Sequence, residues 1–414
     1  MDPQPASRIT PRSLAMIKKI PVAELQPGMF VHDLNCSWPQ HSFLTYRFPV
    51  RSAKVIERIL ELGIREIYID TELGADTGTA GPETPPAEEP VRPAAGFDGT
   101  WRLERVPLEQ ELANAKAIYE QAIAEVGALM QNARFGKLVE LHRVRPVVAA
   151  IVGSILRNPD AMLHAARLKQ TDRYTFQHSV ATATLLIAFC REMGLDRESM
   201  EQVGMGGLLH DIGKLKIPLH ILNKPGALDE HELALIRKHV EYSCDMLDGS
   251  RDLPKVVLDV VAQHHERHDG SGYPLRLQAG EISRYGQMAA IVDVYDAITT
   301  DRVYHPAREP SATLRMLLES SNGQFAPDLP SLFIRAIGIY PVGSLVRMES
   351  GLLAVVIEQS PGQLLRPRIR ALFDTRRAIA VIPYDIDLAS PATTDRILNI
   401  EIPSRWNIDI NRFI

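Results

Sequence analysis

The chain has 414 residues, more than one ordinary compact domain holds, so two or three domains are expected. Hydrophobic residues make up 45% and charged residues 23%, the balance of a globular protein rather than a disordered or fibrous one. A formal net charge of -5 excludes the broad basic field that holds nucleic acid polymers, while leaving room for a small anion held by local cations.

Three cysteines, Cys36, Cys190 and Cys244, stand far apart without a CxxC pair, which argues against a disulfide framework or a thiolate zinc site. The N-terminus has no secretory apolar core, and no stretch reaches the roughly 18 apolar residues that span a bilayer. A cytoplasmic protein without a membrane span is the expectation.

In chain order, Lys19 to Gly74 reads as a small α+β unit, placed in a first domain over 1–75. Ile20 to Val31 reads as short extended segments around Pro27-Gly28. Ser52 to Leu62 has helical spacing through Val55, Ile59 and Leu62, with Gly63 as its stop. Ile64 to Asp70 alternates apolar and polar residues, as a strand does. Ala75 to Gly99 is rich in Pro, Gly, Ala, Thr and Glu and buries too little apolar surface to offset its ordering entropy. A linker over 76–100 follows. Helical patterning then dominates from Pro107 to about Ile334, giving a mainly α domain over 101–340. The tail, 341–414, carries β-branched runs at Gly343 to Val356 and Arg368 to Ile382, which suggest a small β extension.

Nine of the 13 histidines lie between His178 and His305. His178 falls in the second turn of a helix beginning at Tyr174. His210-Asp211 ends the helical run Val203 to Leu209, with Gly213 as a natural stop. Asp229 and Glu232 form a capping box for a helix whose apolar stripe, Leu233, Ile236 and Val240, borders His239. Val257 and Val261 share a face with His264 and His265 at the end of a helix that Pro254 opens. Asp293 and Asp296 occupy one face of the helix Tyr285 to Thr300. Each residue alone is an ordinary core, capping or surface group. Five histidines and two aspartates on inward faces are costly to bury unless their nitrogens and oxygens are paired, and mutual metal ligation does that. Mixed imidazole and carboxylate donors suit iron, manganese, zinc or nickel better than calcium.

These segments resemble the HD-GYP family, a branch of the HD-domain metal-dependent phosphohydrolases. The resemblance lies in GLLHDIGK (Gly207 to Lys214), NKPGALDEHE (Asn223 to Glu232), HHERHDGSGYP (His264 to Pro274) and DVYDAITTDRVY (Asp293 to Tyr304). It covers roughly Arg167 to Ile339. IPVAELQPGMFV and ELGIREIYID also resemble the small module often found ahead of such domains.

The resemblance implies hydrolysis of the bacterial second messenger cyclic di-GMP to pGpG, with onward cleavage to GMP left open. It implies two divalent metals, iron or manganese first and nickel or zinc as alternatives. His178, His210 and Asp293 would hold one metal, His239, His264 and His265 the other, with Asp211 bridging. Lys214 would lie beside the scissile phosphate and Arg302 would bind phosphate. Asp296, Tyr273 and His305 are further candidates for substrate contact.

Two positions depart from the family pattern. Where some members have a glutamate that helps hold a third metal, this chain has Tyr174, and where a proline is common it has Val303, with His305 in a basic position. A phenol with an ordinary pKa of about 10 is a poor metal ligand at neutral pH, so two metals are expected. A rival reading is a non-catalytic cyclic di-GMP sensor or scaffold, whose degenerate members lose ligands. The N-terminal module is the candidate surface for protein partners, and a homodimer is compatible with the sequence.

Overall fold

The computed structural model describes residues 17–33, 48–50, 52–61, 65–71, 74–75, 105–135, 138–167, 174–224, 226–248, 250, 253–300, 308–319 and 323–414. They fall into two compact units, drawn from Met1–Pro90 and Val91–Ile414.

In the first unit, β1 (Ile17–Pro21), β2 (Phe30–Asp33), β3 (Phe48–Pro49) and β4 (Glu66–Asp70) form an antiparallel sheet in the order β1-β4-β2-β3. Helix α1 (Ala53–Glu61) contributes Ile59 to a core shared with Ile20, Val31, Ile67 and Ile69. The alternation in β4 that marks it in sequence puts Ile67 and Ile69 in that core. The linker expected over 76–100 lies outside the described residues.

The second unit is helical up to Ile337. It contains α2 (Leu108–Arg134), α3 (Leu141–Arg157), α4 (Pro159–Arg167), α5 (Tyr174–Glu192), α6 (Arg197–Leu209) and α7 (Leu219–Leu222). After these come α8 (Glu230–Arg237), α9 (His239–Leu247), α10 (Lys255–Gln263), α11 (Arg284–Thr299), α12 (Pro310–Glu319) and α13 (Leu329–Ile337). No described helix is long and apolar enough to cross a membrane.

Two packing relationships place the site. Helices α5 and α6 run close together because Gly207 has no side chain. A Cβ there would lie 2.8 Å from the Ala183 Cα, so any larger residue would push the helices apart. On the other side, α5 packs on α13 through Phe189 and Phe333, both fully buried with ring centroids 5.4 Å apart. Truncating either ring would cost about 3–5 kcal/mol by the usual behaviour of buried aromatics.

The tail is larger than its two β-branched runs suggest. Strands β5 (Leu345–Met348), β6 (Leu352–Glu358), β7 (Arg368–Asp374), β8 (Ile379–Asp387) and β9 (Ile397–Glu401) form an antiparallel sheet in the order β8-β7-β6-β5-β9. This sheet belongs to the same unit as the helices. Asp160 of α4 accepts a hydrogen bond from the Gln359 amide at 2.9 Å, and Arg167 donates to the Pro341 carbonyl at 3.1 Å and to Ser344 Oγ at 3.3 Å.

Candidate metal centre

Three helix ends, together with α5 and α11, carry the site and are set by local sequence. Asp196 caps α6 by accepting from the Ser199 amide, and the helix closes at His210, where the chain turns into a 3-10 segment, Ile212–Lys216. Gly213 serves close packing rather than helix termination. A Cβ there would lie 2.1 Å from the His239 carbonyl oxygen and 2.4 Å from the Ser243 amide nitrogen. The Gly213 amide instead donates to Ser243 Oγ, which in turn donates to the His210 carbonyl. This exchange locks the His210-Asp211 turn onto α9.

The capping box expected at Asp229 and Glu232 is present. The helix it opens breaks at Lys238, so His239 begins a new helix rather than extending the old one. Helix α10 likewise ends at Gln263, leaving His264 at its C-cap and His265 just beyond. Ser283 caps α11, which carries Asp293 and Asp296 inward.

These ends converge. His178, His210, Asp211, His239 and His264 are all under 4% exposed, and Asp293 closes the group from α11. Two sets of donor atoms lie together: His178, His210 and Asp211 in one, and His239, His264 and His265 in the other. Asp293 reaches towards both, with Oδ1 3.1 Å from His178 Nε2 and Oδ2 3.7 Å from His265 Nδ1. Asp211 sits between the sets, with Oδ2 3.3 Å from His210 Nε2 and Oδ1 3.3 Å from His239 Nε2.

The hydrogen bonds fix the ring tautomers. His210, His239 and His264 each direct Nδ1 at the carbonyl three residues earlier, namely Gly207 at 2.8 Å, Ile236 at 2.7 Å and Val261 at 2.8 Å. A carbonyl can only accept, so each Nδ1 carries a proton, and in its neutral form each ring turns a bare Nε2 lone pair inward. His239 Nε2 and His264 Nε2 then face each other at 3.4 Å. His210 Nε2 and Asp211 Oδ1 are buried with no hydrogen-bond partner. Acceptors crowded on acceptors are what divalent cations between them would satisfy.

Charge follows the same logic. Burial holds His239 and His264 below the usual imidazole range and brings His265 down to about 3, keeping them neutral and fit to ligate. Burial opposes ionisation of Asp211, but His210 and Lys214 outweigh it and hold the carboxyl well below its usual range. Lys214 donates directly to Asp211 Oδ2 while remaining 27% exposed.

The other candidates divide. Asp296 is buried behind His178 and accepts from its Nδ1 at 2.7 Å. Tyr273 stacks on His265. Arg302 and His305 lie outside the described residues, as does the Tyr174 side chain.

Sequence reading passed over Glu266. It is 1% exposed and accepts from the amides of Leu275, Arg276 and Leu277 at 2.7, 3.1 and 3.0 Å, which pins the loop that carries Tyr273. Only its position directly after the histidine pair hints at this.

The HD domain matches residues 159–329, which encloses the whole cluster, and a domain of unknown function (DUF3391) matches residues 17–144. Over 393 residues the chain is 39% identical to a cyclic di-GMP phosphodiesterase of Pseudomonas aeruginosa, covering 95% of this chain and 94% of that protein. The chain belongs to the HD-GYP family of HD-domain phosphodiesterases. Two 3'3'-cGAMP-specific phosphodiesterases of Vibrio cholerae are similar over shorter stretches. One is 36% identical over 41% of this chain and the other 41% identical over 35%, and the match spans 33% of each relative. The HD-GYP domain here is thus a metal-dependent phosphohydrolase domain whose donor set fits divalent ions. The module ahead of it is the one that the first domain resembles in sequence.

Proposed function

We propose that this chain hydrolyses cyclic di-GMP to the linear dinucleotide pGpG at the cluster around Asp211. The observation that carries the reading is the set of inward-facing lone pairs at His210, His239 and His264 around the doubly placed Asp211 carboxylate. His178, His210 and Asp293 would hold one cation and His239, His264 and His265 a second, with Asp211 bridging. Iron or manganese fits this mixed donor set. Bound there, the two cations would lower the pKa of a shared water and offset charge on the phosphate.

The chain's own residues do the rest. Asp296 fixes the His178 ring so that Nε2 points inward. Lys214, half-buried at the edge of the cluster, holds positive charge where a non-bridging phosphate oxygen gains charge in the transition state. Arg302 and His305 would contact phosphate from the segment after α11. Attack by water at phosphorus breaks the bond to a ribose 3′ oxygen, and the product keeps a 5′ phosphate. All seven ligand positions are filled, which speaks for catalysis and against a sensor or scaffold.

The similarity to the two 3'3'-cGAMP enzymes makes that dinucleotide a second substrate candidate. The test is chromatography of products after incubating protein loaded with ferrous or manganous ion with each cyclic dinucleotide. Linear pGpG from cyclic di-GMP supports the proposal. Cleavage of 3'3'-cGAMP alone reassigns the substrate, and cleavage of neither rejects the enzymatic reading.

A further inference from the structure

The guanidinium of Arg237 sits over the Tyr273 ring, 5.2 Å from its centroid. That ring stacks on His265 with centroids 4.7 Å apart and meets His239 edge-on at 6.5 Å. Arg237 is therefore held one ring away from two histidines of the cluster, yet it is exposed to solvent.

Among the described residues no carboxylate lies within ion-pair distance of the Arg237 guanidinium. Other arginines of this unit do find carboxylates: Arg284 pairs with Asp328, Arg335 with Glu192 and Arg370 with Asp385. An unpaired guanidinium beside a phosphate-hydrolysing centre forms an anion subsite. A planar fork of donors matches two oxygens of a phosphodiester, and the aromatic ring fixes its orientation in advance.

A cyclic dinucleotide carries two phosphodiesters on opposite sides of one ring. With one of them at Asp211 and Lys214, the other projects towards the rim. We propose that Arg237, oriented by Tyr273, binds the second, uncleaved phosphodiester of the cyclic dinucleotide. This rests on the substrate reading above and adds what separates a cyclic dinucleotide from a simple diester.

The test compares kcat and KM of metal-loaded wild type, R237A and R237K on cyclic di-GMP and on bis(4-nitrophenyl) phosphate, which has a single phosphate. The expected result for R237A is a loss of about ten-fold or more in kcat/KM on cyclic di-GMP, mainly through KM, beyond any loss on the small diester. R237K, which keeps the charge without the fork, recovers part of it. Equal losses on both substrates would overturn the assignment, because Arg237 would then serve the fold or the reacting phosphate. No loss on cyclic di-GMP would overturn it as well. Wild type that cleaves the small diester but not the cyclic dinucleotide would remove both the substrate reading and this contact.

Discussion

Asp296 Oδ2 accepts the Nδ1 proton of His178 at 2.7 Å, and it is the only carboxylate among the described residues that does for a cluster histidine what main-chain carbonyls do for His210, His239 and His264. The difference has a local origin. The other three histidines sit at a helix end or break, where the ring can reach the carbonyl three residues back, whereas His178 lies inside α5, whose carbonyls are committed to the helix ladder. Burial pulls the His178 ring down, but its bonds to Asp293 and Asp296 outweigh this and push it up to about 9, so a cation binding at Nε2 would displace a proton there.

Replacing Asp296 therefore acts on metal binding. D296A should weaken manganese affinity by about ten- to a hundred-fold, the usual cost of losing such a supporting carboxylate. D296N, which keeps an acceptor, should fall between D296A and wild type. Calorimetric titration of the metal-free protein reads both, and wild-type affinity in D296A would show that His178 is oriented by something else.

Lys214 separates rate from metal content. K214A should lose about 2.7–4 kcal/mol of transition-state stabilisation, seen as a fall in kcat, with metal content unchanged. Metal loss as deep as that of H210A would make Lys214 a structural partner of Asp211 instead.

The contact between α4 and the C-terminal sheet carries a pH signature. Burial raises the Asp160 carboxyl to about 6, against the pull of the Gln359 amide, with Glu358 raising it further and Arg191 and Arg105 lowering it. A raised folded-state pKa means that the folded chain binds the proton more tightly. The stability it contributes is complete below about 3.8 and is lost as pH climbs through about 6. D160N keeps the acceptor for Gln359 without the buried charge. Its Tm should exceed that of wild type at pH 8, and the difference should shrink as pH falls towards 4. Neighbouring His164 titrates in both proteins and so cancels in the comparison. A constant difference across this range would contradict the assignment.

Much of the centre was legible because its chemistry is written in adjacent residues. His210-Asp211 and His264-His265 stand side by side, and helical spacing turned them and His239 inward. The role of Asp296 was not legible, because its partner His178 lies 118 residues earlier in the chain and only packing of α5 against α11 joins them. Gly213 read as a stop signal, since its cause is the nearness of α9 rather than its own backbone angle. Glu266 was passed over because three amides from the loop ahead of it define its function. Strand β9 was missed because its exposed residues do not alternate cleanly, its pairing with β5 being set from elsewhere in the sheet.

The central claim is that Asp211 joins two cations within one nest of histidines, and metal analysis of wild type against D211A tests it most directly. Both proteins would be loaded anaerobically with manganese or ferrous ion, desalted and measured by inductively coupled plasma mass spectrometry alongside circular dichroism to confirm folding. Close to two ions per chain in wild type, and one or none in folded D211A with hydrolysis abolished, is the expected result. A D211A protein that keeps both ions and full turnover would contradict the account.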